Sequence, residues 1–130
     1  MKPDHPHLTL ARTLWAAAAD GDAEALGLLF DENVCWRTIG LNPLSGESRG
    51  PEEVLDYLAK VGEASDEFSS RLGSVYVNDE GAVVLYHVSA RRGPKTLEMD
   101  YLLHLRVRNS LIVEALMVPV DQRTNDQFWS

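Results

Sequence analysis

The stretch TLEMDYLLHLRVR, residues 96–108, decides the fold of this 130-residue chain. Polar and apolar side chains alternate along it, and this period of two is typical of a β-strand with one buried face. A register shift of one residue would bury five polar side chains, so the register is strongly specified. The face predicted to point into the core carries Leu97, Met99, Tyr101, Leu103, Leu105 and Val107.

Three neighbouring segments, residues 72–78, 82–92 and 111–120, also predict strands because they are rich in β-branched, aromatic and other apolar residues. Short turn sequences containing Gly, Pro, Asn and Asp separate the four strands, which predicts consecutive hairpins. Segment 82–92 is apolar nearly throughout. Its inward residues are predicted to be Val84, Tyr86, Val88 and Ala90.

The first half of the chain has a helical period instead. Residues 8–19 contain a run of four alanines, which favours a helix. Asp22 is a suitable cap for a second short helix over residues 25–30. A third helix begins at Gly50-Pro51, because proline is favoured at the first helical position. Its buried face is predicted to carry Val54, Tyr57, Leu58 and Val61.

Between and after these helices the signals are shorter. Residues 33–39 predict a strand, residues 40–46 a loop, and residues 122–129 a short helix or turn that Asp121 could cap. Helices followed by strands predict an α+β fold rather than alternating βαβ units. Three N-terminal helices on the concave face of a strongly curved, mostly antiparallel sheet would form a cone with a pocket at its open end.

Composition excludes several classes of protein. Acidic residues number 20 against 12 basic ones, for a formal charge of -8, which disfavours binding to nucleic acid phosphates. There is no apolar run long enough for a membrane span and no secretory signal at the start of the chain. The single cysteine and four scattered histidines have no zinc spacing. We therefore expect a cytoplasmic domain without a metal or an organic cofactor.

Several weak signals, in a characteristic order, resemble the nuclear transport factor 2-like superfamily, and within it the SnoaL-like and ketosteroid-isomerase-related branch. The resemblance covers nearly all of residues 1–130 and implies one domain with a cystatin-like cone, a deep, mainly apolar pocket and commonly a homodimer formed through the sheet. It does not imply one activity, because members include isomerases, polyketide cyclases, epoxide hydrolases, dehydratases and binding modules. The signals are Trp15, Gly21-Asp22, the strand before Gly40, Pro43, Gly46, Gly50, Asp121 and Phe128-Trp129.

The ketosteroid isomerases allow a test residue by residue. Their strand-to-loop segment matches Gly40 to Gly46, and this register puts their catalytic base at Arg37. Their oxyanion-hole tyrosine falls on Leu14, and their hydrogen-bond-donating aspartic acid falls on Leu103. That mechanism needs a carboxylate base and two donors. The resemblance therefore implies the fold and argues against steroid isomerisation.

Arg37 and Asp121 are the candidate catalytic residues. By the same alignment Arg37 points into the cone, where it could clamp a carboxylate or enolate oxygen of a ligand. The alternative is that Arg37 reaches solvent or pairs with a nearby acid. The resemblance places Asp121 near the pocket mouth as a general base or as the partner of Arg37, and the favoured alternative is a helix cap.

Other reactive side chains are predicted to lie away from the pocket. Glu114 is expected to point outward toward Arg106 or Arg108, as cross-strand charge pairs do. His87 and His104 fall on the outward face and predict a surface or a dimer interface. Cys35 has no nearby histidine in the sequence and no basic neighbour except Arg37, which predicts a buried structural thiol rather than a nucleophile.

Aromatic residues supply the candidate ligand-binding surface. Most could serve as core, but a cone lined by tyrosine and tryptophan suits a planar or polycyclic ligand, with hydroxyl and indole N–H groups as orienting donors. The C-terminal tryptophan either closes the open end or anchors the tail. The candidates are Trp15, Trp36, Tyr57, Tyr86, Tyr101, Leu103, Met117 and Trp129.

Three functions remain open on these residues. The first is a SnoaL-like small-molecule pocket for an apolar or planar ligand, acting on a carbonyl or polyketide-like compound by cofactor-free acid/base chemistry. The second is a non-catalytic ligand-binding or protein-interaction module. The third is an epoxide-hydrolase-like enzyme, for which Arg37, Asp121 and Tyr86 are an incomplete match. Contact between Arg37 and Asp121 inside a closed pocket would favour an enzyme, and a solvent-facing Arg37 would favour a binding role.

Overall fold

A curved six-stranded sheet dominates the computed structural model, which describes residues 4–130 and leaves the first three residues of the N-terminal segment outside. The strands are β1 (Phe30–Thr38), β2 (Gly46–Arg49), β3 (Glu67–Asn78), β4 (Gly81–Arg92), β5 (Lys95–Arg108) and β6 (Leu111–Pro119). Their order in the sheet is β2-β1-β6-β5-β4-β3. All neighbours are antiparallel except β1 and β6, which are parallel.

Four helices within residues 4–130 accompany the sheet: α1 (Pro6–Ala19), α2 (Ala23–Gly27), α3 (Gly50–Glu63) and α4 (Gln122–Trp129). Helix α1 packs on β3 and β4, α3 on β1, α2 between α1 and α3, and α4 on β5 and β6. Local signals mark the starts of α2 and α3. Asp22 caps α2 by accepting from the Ala25 N–H at 3.0 Å, and Pro51 lies in the first turn of α3.

The predicted facing of the central strands is confirmed. The odd-numbered side chains of β5 from Leu97 to Leu105 are buried, and the even-numbered face is exposed except for a half-buried Leu102. In β4 the four predicted inward residues are likewise buried. The α+β class and the mostly antiparallel curved sheet are confirmed as well. The core therefore lies between the concave face of the sheet and the helices.

Several boundaries differ from the predictions. Helix α1 begins at Pro6, and Phe30 opens strand β1 instead of ending helix α2. Strand β2 was not predicted, because Gly-Glu-Ser-Arg has no apolar alternation. It pairs with β1 through its backbone and through the contact of Glu47 with Arg37. Strand β3 begins at Glu67 instead of residue 72. The tail is a helix, so a fourth helix adds to the three expected on the concave side.

No helix among the described residues is long and apolar enough to cross a membrane.

Replacing Gly81 with alanine should severely destabilise the fold. A Cβ at this position would overlap the Leu105 carbonyl oxygen on β5, and this neighbour is backbone that cannot rotate away. We expect Gly81→Ala to lower the free energy of unfolding by about 1–3 kcal/mol or more, measured by urea denaturation. Gly62→Ala is the matched control, because a Cβ there meets no atom within 4 Å. It should raise stability by about 0.5–1 kcal/mol, and equal losses in both variants would contradict this account.

Candidate functional site

A cavity of about 440 Å³ lies between the concave face of the sheet and helices α1, α3 and α4. All eight residues proposed from the sequence to bind a ligand border it. Their role in binding stays a prediction, but the fold brings them together. Further lining comes mainly from apolar and small polar residues: Leu14, Ala18, Ala19, Thr38, Asn42, Leu44, Leu58, Val61, Phe68, Ser69, Ser70, Val88 and Asn125.

Aromatic rings brace one wall of the cavity. Tyr86 and Tyr101 are cross-strand neighbours on β4 and β5, and their rings stack with centroids 5.3 Å apart. Trp15 of α1 meets Tyr86 edge-on at 4.9 Å. Its indole nitrogen donates to the Ser70 hydroxyl at 3.2 Å. These contacts hold the rings in place, so the cavity has a preformed aromatic wall.

The mouth of the cavity lies where the C-terminal end of α1 approaches the start of β3. Ala18 and Ala19 are exposed there, as are Phe68, Ser69 and Ser70. Small side chains on α1 leave the opening unobstructed. Trp129 is buried at the α4 side, so it anchors the tail instead of closing the open end.

Asn125 is the most buried polar side chain of the cavity, with 2% of its surface exposed. Its Oδ1 accepts hydrogen bonds from the Tyr101 hydroxyl and from the indole Nε1 of Trp129 at 3.2 Å. An indole N–H can only donate, so this contact identifies the oxygen of the amide. Asn125 was not among the residues predicted from the sequence, although its spacing of four from Trp129 puts the two residues on the same helical face.

Two further polar atoms at the cavity wall were also missed. Trp36 Nε1 and Thr38 Oγ1 are buried and have no hydrogen-bond partner among residues 4–130. Both residues belong to β1, and Thr38 follows Trp36 by two, so they share the inward face. A buried polar group without a partner costs about 1–3 kcal/mol. The period of two along a strand could have identified Thr38, because Trp36 was already proposed to line the pocket.

Burial governs the protonation of the three tyrosines. Removal from water raises the pKa of Tyr57 to about 12, and it raises the pKa of Tyr86 and Tyr101 as well. All three phenols are therefore protonated at neutral pH. They can donate or accept hydrogen bonds, but none of them is suited to act as a base.

Arg37 points away from the cavity, so the inward orientation inferred for it is wrong. Its neighbours Trp36 and Thr38 are buried, and the pleat therefore sends Arg37 to the outer face. There its side chain is 58% exposed, and its Nε lies 3.0 Å from Glu47 on β2. The Glu47 carboxylate raises the pKa of the guanidinium. The alternative of a solvent-facing, acid-paired arginine is the one observed.

Asp121 caps helix α4. Its carboxylate accepts from the Thr124 backbone N–H at 3.2 Å and from the Thr124 hydroxyl at 2.8 Å. These bonds hold the pKa of Asp121 below its ordinary value. Neither Asp121 nor Arg37 borders the cavity, so the structure supports neither catalytic assignment. The arrangement required for an epoxide-hydrolase-like site is not formed by these residues.

The neighbouring Asp126 has a structural role that the sequence did not suggest. Its Oδ1 accepts from the Asn42 side chain at 2.7 Å and from the Leu41 N–H at 2.8 Å, which ties α4 to the loop after β1. The Asn42 amide and the Leu41 N–H lower the pKa of Asp126. This link positions Asn42 and Asn125 at the same end of the cavity.

A family model for the SnoaL-like domain matches residues 11–115. The chain belongs to this family. The expected membership of the nuclear transport factor 2-like superfamily is thereby confirmed. A comparison with curated proteins finds no match.

Solved structures similar to this SnoaL-like domain cover nearly its whole length. Bal32a, from a soil-derived mobile gene cassette, is 26% identical, with a TM-score of 0.91 over 96% of this chain and 97% of that one. A protein of unknown function with a cystatin-like fold from Xanthomonas campestris is 27% identical, with a TM-score of 0.87 over 95% and 98%. TerC, co-crystallised with polyporic acid, is 15% identical, with a TM-score of 0.84 over 95% and 98%, and at this identity shows the fold alone.

The SnoaL-like domain departs from the isomerase pattern at the cavity itself. Leu14 and Leu103, the positions matched to the two isomerase donors, both border the cavity and are apolar. Arg37, matched to the base, lies outside it. Among the described residues, no group of three histidine, cysteine or acidic side chains is arranged to hold a metal ion.

The outer face of the sheet carries the other reactive side chains, as predicted. Glu114 is exposed and lies 3.4 Å from Arg106, and His104 is exposed. Cys35 is half-buried, whereas a buried thiol was expected. It precedes the buried Trp36 on β1, so the alternation along the strand directs Cys35 toward the outer face.

His87 lies between two carboxylates on this outer face. Its Nδ1 is 2.8 Å from Asp100, and its Nε2 contacts Glu98, which also accepts from the Ser89 hydroxyl at 2.7 Å. Hydrogen bonds to Glu98 and Asp100 raise the pKa of His87. The bond to His87 in turn lowers the pKa of Glu98. The protonated ring, which donates from both nitrogens, is therefore the form that this cluster stabilises.

The stability contributed by His87 should depend on pH. A raised folded pKa stabilises the protein below the unfolded value of about 6.5 and loses that effect as pH rises through the folded value. The lowered pKa of Glu98 adds stability above its ordinary value of 4.5. We expect the Tm difference between wild type and His87→Gln to be largest between these two values and to disappear as the pH rises through the raised pKa of His87. His104→Gln is the control, and a pH-independent difference for His87→Gln would contradict the assignment.

Proposed function

We propose that this SnoaL-like protein binds a neutral, largely apolar and planar molecule in its cavity, without acid/base turnover. The observation that carries the proposal is the composition of the wall. Among the described residues that line it, none is an aspartate, glutamate, histidine, lysine, arginine or cysteine. General acid/base catalysis near neutral pH needs a group whose pKa lies near the working pH. The raised pKa values of the three tyrosines exclude them from that role.

The same wall disfavours a charged ligand. Burying an ion without a counter-charge carries a large desolvation cost, and the lining supplies none. Aromatic rings offer flat surface instead, with the stacked Tyr86 and Tyr101 on one side and Trp15 edge-on to Tyr86. Pockets of this composition suit neutral ring compounds. The hypothesis of acid/base action on a carbonyl or polyketide-like compound therefore gives way to the binding alternative.

We propose in addition that two copies associate through the outer face of the sheet. Leu85, Leu102 and Val118 are direct cross-strand neighbours there and form one apolar row. Leu85 is 39% exposed. Along β5, Glu98 and Asp100 lie on one side of this row, and Arg106 and Arg108 lie on the other. A two-fold axis near Leu102 would set the acidic end of one copy against the basic end of the other, which is the complementarity that fixes orientation at an interface.

Ligand binding can be followed on the three tryptophans, because every tryptophan of the chain borders the cavity. We expect the planar hydrocarbon fluorene to shift all three indole N–H resonances in 1H–15N correlation spectra. Ala18→Phe, at the mouth, should weaken binding roughly tenfold or more by filling the opening. Ala16→Phe is the matched control, since Ala16 is exposed on the same helix and does not border the cavity. Unshifted indole resonances at saturating fluorene would refute the proposed function.

The dimer can be tested by light scattering after size exclusion. We expect the wild type to have twice the mass of one chain. Leu85→Glu should give a folded monomer, because it sets a charge in the apolar row. Leu28→Glu serves as the control, since Leu28 is 74% exposed and follows α2, away from the sheet. A wild type that elutes as a monomer at all concentrations rules out this assembly.

A further inference from the structure

The buried end of the cavity has hydrogen-bond donors left over. The Oδ1 of Asn125 is occupied by two donors, the Tyr101 hydroxyl and the Trp129 indole. Its amide nitrogen carries two N–H groups, and the hydrogen bonds of this side chain within residues 4–130 both go to the oxygen and none to the nitrogen. Asn125 is 2% exposed and borders the cavity. The bonds made by Oδ1 fix the orientation of the amide, so the free N–H groups belong to a rigidly held side chain.

The rest of the wall adds further hydrogen-bond donors. Trp36 Nε1 is a donor by chemistry and has no partner in the described structure. The Tyr86 hydroxyl likewise makes no hydrogen bond within residues 4–130, and burial keeps it protonated. The Tyr57 hydroxyl lies 4.0 Å from the weak acceptor Met117 Sδ and also faces the Thr38 hydroxyl. Carboxylates, the side chains that can only accept, are missing from the described lining.

A donor-rich, uncharged wall selects for a particular ligand chemistry. A hydroxyl or amino group brings donor hydrogens of its own, and the Asn125 amide nitrogen cannot accept them. A carboxylate or phosphate would bring acceptors, but also a charge that no cation in the lining neutralises. A carbonyl oxygen brings two lone pairs and no net charge. It can therefore accept the hydrogen bonds of the Asn125 amide without burying an unpaired charge.

We infer that the ligand of this cavity is a neutral ring compound with a carbonyl-type oxygen, as in an aryl ketone or a quinone, and that the Asn125 amide holds this oxygen. The inference rests on the proposed function and extends it to the class of ligand and to the orientation of that ligand in the cavity. The oxygen lies toward α4, at the buried end. The hydrocarbon rings extend between the aromatic wall and the mouth near Phe68 and Ala18.

A matched ligand pair tests this inference. Fluorene and 9-fluorenone share one planar tricyclic skeleton and differ by a carbonyl in place of a methylene. A hydrogen bond contributes about 1 kcal/mol, so wild-type protein should bind fluorenone about fivefold more tightly. In addition, fluorenone should shift the Asn125 side-chain NH₂ resonances in 1H–15N correlation spectra, and fluorene should shift the indole resonances while leaving those NH₂ resonances far less affected.

Substitutions locate the effect. Asn125→Ala should bring the affinity ratio of the two ligands close to one, whereas Gln127→Ala, which removes an exposed amide from the same helix, should leave the ratio unchanged. Where Asn125→Ala fails to fold, the wild-type NH₂ resonances still decide. Equal affinities, or tight fluorenone binding that leaves the Asn125 resonances in place, would overturn the inference while the proposed function stands. Binding of neither compound would defeat both.

Discussion

The pleat of strands β4, β5 and β6 dictates most of what this molecule can do. Every second side chain of these strands must face the helices. In β5 this inward set runs from Leu97 to Leu105, and its only polar group is the Tyr101 hydroxyl. The other set is equally committed to the outside. A concave face of large apolar and aromatic side chains, with reactive groups on the convex one, follows directly. The ionised side chains of these strands therefore lie on the opposite side of the sheet from the cavity.

A cavity lined by apolar surface remains open here because its walls brace one another. The Tyr86 and Tyr101 rings stack across two strands, and Trp15 supports the first of them from helix α1. Asn125 then links Tyr101 of the sheet to helix α4. Asp126, one residue later, ties the same helix to the loop after β1. Side chains fixed from two directions lose little further entropy when a ligand arrives, which favours binding.

Local signals were enough to predict the long strands, the third helix and eight of the residues that border the cavity. Arg37 was misplaced because an alignment over a loop assigns a position and not the direction of a side chain, whereas burial of Trp36 and Thr38 does assign it. Strand β2 and the start of β3 lie at sheet edges, where backbone pairing needs no apolar pattern. Asn125 was missed because its role depends on Tyr101, far away in the chain.

The parallel pairing of β1 with β6 bears on how the chain folds. Phe30 and Ile112 are partners in this pairing, so the first strand lies inside the sheet, between β2 and the last strand. Non-local contacts of this kind slow folding, since a long loop must close before the pairing stabilises anything. During synthesis, helices α1 to α3 and strand β1 leave the ribosome long before β6. A chain interrupted before residue 111 carries an unpaired edge of β1 and an uncovered apolar face, the features that recruit chaperones or lead to aggregation.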